Sequence, residues 1–88
     1  MDKPAWQSWH DIRSTHLKRV RYNIKTKLLQ ILFQRSPTVY QYEEVPIHTW
    51  QILISTEQPG EYFSNHIKPK FLFIKLTDAA TVNSAQKG

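Results

Sequence analysis

The chain has 88 residues, no Cys and a formal net charge of +5, with a sequence pI near 9.7. That length predicts a single domain, and the missing thiols exclude disulfides, thiolate metal sites and thiol catalysis. No apolar run approaches a membrane span and the N-terminus has no secretory h-region, so a cytoplasmic location is expected.

The charge is unevenly divided. Residues 1–35 net +6, residues 36–67 net −4 and residues 68–88 net +3. Between Ile12 and Tyr42 there is no acid, while Arg13, Lys18, Arg19, Arg21, Lys25, Lys27 and Arg35 all fall there. Like charges this dense repel unless a polyanion, an acidic part of the same molecule or solvent compensates them.

Residues 1–13 form a polar arm bearing Trp6 and Trp9. Asp2 followed by Pro4 predicts a short helix, which would put the two Trp on one face. Exposed in a free arm, they would be adhesive, so the arm is expected to dock on the domain. The domain itself is expected over 14–76, followed by a disordered small, polar tail at 77–88.

Residues 15–22 read as a first strand, in which Val20 and Tyr22 alternate with Arg19 and Arg21. Leu17 is out of step with Val20, which predicts a bulge near Lys18. Asn23 to Thr26 is a turn. In the second strand, Leu28 to Phe33, Leu29, Ile31 and Phe33 share one face, and Leu28, Gln30 and Leu32 the other. Val39 to Val45 is a third strand with Tyr40 and Tyr42 opposite Gln41. Pro46 opens a helix whose Ile47, Trp50, Leu53 and Ile54 form a buried stripe. Pro59-Gly60 is expected to end it. A second short helix follows at 61–68, with Tyr62, Phe63 and Ile67 inward and Glu61 complementing its dipole. Residues 71–76 suit a further strand or an extended tail. The fold class is therefore α+β: a three-stranded antiparallel meander packed on two short helices, with a possible fourth strand.

The order of motifs carries a resemblance. Tyr40-Gln41-Tyr42, then Val45-Pro46, then a helix with Trp50 and Leu53, then Gly60-x-Tyr62-Phe63 leading to Ile67-Lys68, resembles the KTSC domain. That domain takes its name from the C-terminus of some lysyl-tRNA synthetases and also occurs as a free-standing protein of bacteria and their phages. The resemblance spans about residues 14–73. Ser36-Pro37 stands where the family tends to have Gly, and Ser64 where it tends to have Asn. The association with a tRNA synthetase implies RNA binding, by association only.

The residues themselves allow the same function. Arg19 and Arg21 share one side of the first strand, Lys25 and Lys27 sit at its turn, and Gln30 and Gln41 lie on that side of the neighbouring strands. Guanidinium groups pair with phosphates or stack on bases, and Gln bonds base edges. The alternative is an ordinary solvated face. Tyr40 and Tyr42 suit stacking on bases, but their position opposite Gln41 favours the core, as for Trp50, Tyr62 and Phe63. His10, His16, His48 and His66 form no metal-ligand spacing, and Glu43-Glu44 point apart on a strand. Only two Gly are present, so no phosphate-cradling loop is expected. The reading is a non-catalytic module without metal or cofactor, binding RNA or single-stranded nucleic acid through Arg19, Arg21, Lys25, Lys27, Gln30 and Gln41. The rival is a protein–protein adaptor or inhibitor of phage or plasmid origin, anchored by Trp6, Trp9, Leu28 and Leu32.

Overall fold

The computed structural model describes residues 5–76. One antiparallel sheet holds β1 (His10–Asp11), β2 (Leu17–Asn23), β3 (Leu28–Phe33), β4 (Val39–Tyr42) and β5 (Phe73–Leu76), in that spatial order. Between β4 and β5 come α1 (Ile47–Ser55) and α2 (Pro59–Tyr62), which runs on into a π-helical turn at Phe63–Ile67. This is an α+β fold with the expected meander, β2 to β4, at its centre. The extra strand near the C-terminus is present, and the arm adds another at the opposite edge.

Local chemistry explains the connections. At the β2–β3 turn the Asn23 Oδ1 accepts the backbone N–H groups of Lys25 (3.0 Å) and Thr26 (2.9 Å). An Asn side chain that bonds its own turn in this way fixes the hairpin. Lys27 then takes a φ of 60° and gives its N–H to Asn23 O at 2.8 Å. The expected bulge lies between Leu17 and Arg19, where the β2–β3 register shifts. It lets both Leu17 and Val20 be fully buried although they are three apart. Ser14 Oγ accepts the N–H groups of His16 and Leu17 at 3.1 Å just before it. Gly60 passes close to this loop, and a Cβ there would lie 3.0 Å from Ser14 Oγ.

Several elements differ from the sequence reading. The third strand stops at Tyr42 rather than Val45, because Glu44 adopts a φ of 54° and turns the chain toward α1. Val45 is still buried, donating its N–H to Lys27 O at 2.9 Å and accepting the Tyr22 hydroxyl. Pro46 is the N-cap of α1, one position before its first turn. Pro59-Gly60 does not terminate α1, which ends at Ser55 as Thr56 turns extended; it begins α2, with Pro59 in the first turn. A missing N–H makes Pro as suitable there as at any helix start. Ile47 is 46 % exposed, since the buried stripe of α1 centres on Thr49, Trp50 and Leu53 and the first residue falls off it.

The arm is extended over its described residues rather than helical. Gln7 donates to Tyr22 O (2.8 Å), Ala5 O accepts from Ile24 (3.0 Å), and Trp6 bridges Asn23. His10 and Asp11 then pair with Val20 and Arg19. Without this cover β2 would be an edge strand with a row of unpaired N–H and C=O groups, and pairing outweighs the local helix signal. Residues 1–4 of the arm and the 77–88 tail lie outside the described residues.

The core lies on the helix side of the sheet. Leu17, Val20, Tyr22, Leu29, Ile31 and Tyr42 pack against Val45, Trp50, Leu53, Phe63 and Ile67. Tyr22 stacks on Trp50 at 5.6 Å between centroids, and His10 meets the edge of the same indole at 6.3 Å. Trp50 and Phe63 are buried as expected, while Tyr62 is only half-buried at the margin.

Candidate functional site

Strand alternation gives the sheet a second face that none of the described helices covers. Its central row follows from register: Arg21 opposite Gln30, Gln30 opposite Gln41, and Gln41 opposite Ile74. The polar members of the row bond one another. Arg21 Nε donates to Gln30 Oε1 at 2.8 Å, and Gln30 Nε2 donates to Gln41 Oε1 at 2.8 Å. Gln30 is only 6 % exposed, so this ladder satisfies an amide that would otherwise be costly to bury.

The arm completes the site. The Arg21 guanidinium carbon lies 4.5 Å from the centroid of the Trp6 ring and 4.8 Å from that of Trp9. A cation held over two indole faces gains roughly 0.5–2 kcal/mol per contact, depending on desolvation. Both Trp are half-buried, as a docked arm requires. In the adjacent row Arg19 lies beside Leu32 and Val39, and its Nη2 pairs with Asp11 Oδ1 at 3.2 Å. With those side chains 41 % and 81 % exposed, the pair contributes little. Arg19 Nε is buried without an acceptor among the described residues.

The six residues singled out from the sequence thus fall into two groups. Arg19, Arg21, Gln30 and Gln41 share the open face. Arg21 and Gln30 are not free projections into solvent, since packing and hydrogen bonds hold them. Lys25 and Lys27 are exposed at the β2–β3 turn, at one end of that face.

The sequence reading passed over a second concave surface, on the helix side where the helices leave β4 and β5 uncovered. A groove of about 490 Å³ is lined by Phe33, Tyr40, Tyr42, Phe63 and Phe73, with Gly60 and Ser64. Lys68, Lys75 and His16 complete its lining, with no Asp or Glu among the described residues that form it. The rings contact one another throughout: Phe33 meets Tyr40 at 5.1 Å and Phe63 at 5.5 Å, and Phe73 meets Tyr42 at 5.2 Å and Tyr40 at 5.4 Å. Lys75 Nζ stands 5.7 Å from the Tyr40 ring centroid. Burial pushes the Tyr42 hydroxyl up to about 12, with a further push from Tyr40, and raises Tyr22 in the same direction. Both phenols stay neutral at ordinary pH. Tyr42 is core, at 2 % exposure, but Tyr40 is only half-buried, so the alternation that placed both on one face did not fix their depth.

Among the described residues no three His, Asp or Glu converge as metal ligands, and no helix is long and apolar enough to cross a membrane.

Residues 13–71 match the family model of the KTSC domain. The chain belongs to the KTSC domain family. Its structure is also similar to the crystal structure of a KTSC domain protein from Yersinia pestis, with a TM-score of 0.75 and 30 % identity, covering 82 % of this chain and 99 % of that one. Among curated proteins none matches. The matched region begins after β1, so the Trp6–Arg21–Trp9 sandwich joins a family strand to residues outside the match.

Proposed function

We propose that this KTSC domain is a non-catalytic module that binds RNA or single-stranded nucleic acid through the open face of its sheet. The observation that carries this reading is the cationic character of that face. Arg19 and Arg21 lie on it, Lys25 and Lys27 extend it at the turn, and Asp11 is the acid paired into it. The cations meet phosphates, the partly open indoles of Trp6 and Trp9 offer flat surfaces to bases, and Gln41 ends the amide ladder where a base edge would lie. Arg21 acts mainly by holding the indoles, and Lys25, Lys27 and Arg19 supply the phosphate contacts.

The test is a chemical-shift titration of labelled protein with short single-stranded RNA at low and moderate salt. Shifts at the Trp6 and Trp9 indoles and at the Lys25–Lys27 turn, weakening steeply as salt rises, are the expected outcome. No shift at low salt, or binding indifferent to salt, would overturn it.

A protein partner is the second reading, favoured by the edge strand β5. Leu72, just before it, is 79 % exposed, and Phe73 and Ile74 are each nearly half exposed. An exposed apolar edge suits strand addition by another chain. The anchors first expected for that role fit it less well, because Trp6 and Trp9 are engaged by Arg21.

A further inference from the structure

The groove beside β4 and β5 has features that core packing alone does not require. Phe73 is 45 % exposed and Tyr40 half-buried, and they meet diagonally across neighbouring strands with ring centroids 5.4 Å apart and planes tilted by 37°. Two aromatic rings at a concave, partly open surface give a planar ligand a stacking floor. Two cations, Lys68 and Lys75, stand at the rim, and no Asp or Glu is among the described residues that line the groove. Its volume, about 490 Å³, is within the range of small-ligand pockets. The Ser64 hydroxyl adds a donor and acceptor at the same wall.

We infer that this groove binds a nucleotide unit, a planar base carrying a phosphate, separately from the open sheet face. The base stacks on Phe73 beside Tyr40, and the phosphate is held by Lys68 and Lys75. Lys75 now stands over the Tyr40 ring, and its flexible stem allows the ammonium to reach a phosphate without movement of the strand. The pairing of flat apolar floor with cationic rim is what selects this ligand class. An uncharged aromatic would gain nothing from the lysines, and a bare phosphate nothing from the rings.

The experiment is a titration of labelled full-length protein with adenosine monophosphate, adenosine, inorganic phosphate and a short single-stranded oligonucleotide, with the Phe73 and Tyr40 ring signals observed. The monophosphate is expected to shift them, and adenosine or phosphate alone to bind about tenfold more weakly or worse. Phe73→Ala and Lys75→Glu, at exposed positions of an edge strand, are each expected to keep the amide spectrum of the fold and weaken the monophosphate about tenfold. Groove shifts with the oligonucleotide as well as the monophosphate would identify the unit as part of a strand. Groove shifts with the monophosphate alone would identify a free nucleotide. If the oligonucleotide shifts only the Trp6, Trp9 and Lys25–Lys27 signals and the monophosphate shifts nothing, the groove proposal fails while the sheet-face reading stands. Equal binding of adenosine and its monophosphate would also overturn it.

Discussion

The two faces of this sheet use the same strands and are held by different physics. On the helix side, Leu29, Ile31 and Tyr42 are buried against Leu53, Phe63 and Ile67, and stability comes from apolar area removed from water. On the other side, Arg21, Gln30 and Gln41 are joined by hydrogen bonds and capped by two indoles. A lost contact on the first face leaves a cavity. A lost contact on the second leaves an unsatisfied polar group, so the two faces fail in different ways.

The contrast should show most strongly at Tyr42. Tyr42→Ala removes a ring packed on Phe63 and Phe73 and is expected to destabilise by about 3 kcal/mol or more, read from urea unfolding. In so small a domain that approaches complete unfolding. A folded variant with only its ligand binding lost would reverse the assignment of core and binding face.

Alkaline pH probes the core side in a second way. The unfolded chain releases the Tyr42 proton near 10, whereas the native state keeps it to about 12. Between those values the native state binds more protons than the unfolded state. Stability is therefore complete below pH 10, declines as pH rises to about 12 and levels off beyond, with a total loss on the order of 2–3 kcal/mol. Tyr22 shifts in the same direction, and its ionisation would break the hydroxyl's bond to Val45 O. Urea midpoints measured from pH 8 to 12 give the profile, and a flat one would mean that these phenols are not buried.

Arg21→Ala tests the open face and should cost less, about 1–2 kcal/mol. It removes the cation between the indoles and leaves Gln30 Oε1 without its donor. Tryptophan fluorescence should shift to the red as Trp6 and Trp9 become wetter, with the core signals unchanged. No spectral change would mean that the arm is held by its backbone bonds alone.

Much of this fold is legible in the chain. Alternation sets β3 at Leu28–Phe33 and assigns its faces, because a strand buried on one side must repeat every second residue. The mismatch between Leu17 and Val20 marks the bulge for the same reason. Proline is less readable: at position 59 it is equally suited to ending one helix and starting the next, and only packing of α2 against the Ser14 loop decides. The Trp arm misleads similarly. Its local helix signal is weak, and the unpaired edge of β2, many residues away, wins with backbone hydrogen bonds that sequence spacing does not encode.

The candidate site follows the same division. Within each strand, sequence alone determines which side Arg19, Arg21, Gln30 and Gln41 take, since side-chain direction in a strand is a local property of the backbone. It also determines the charge of that face and the order of motifs that marks the family. Which of those side chains are free is decided by tertiary structure. Arg21 is engaged because the arm brings Trp6 and Trp9 to it, and Gln30 because the register sets Gln41 beside it. The aromatic groove likewise exists only because β5 returns beside β4, bringing Phe73 and Lys75 to Tyr40 from more than thirty residues away. Distance along the chain carries no information about such meetings; the strand register that creates them is settled by the packing of the whole domain.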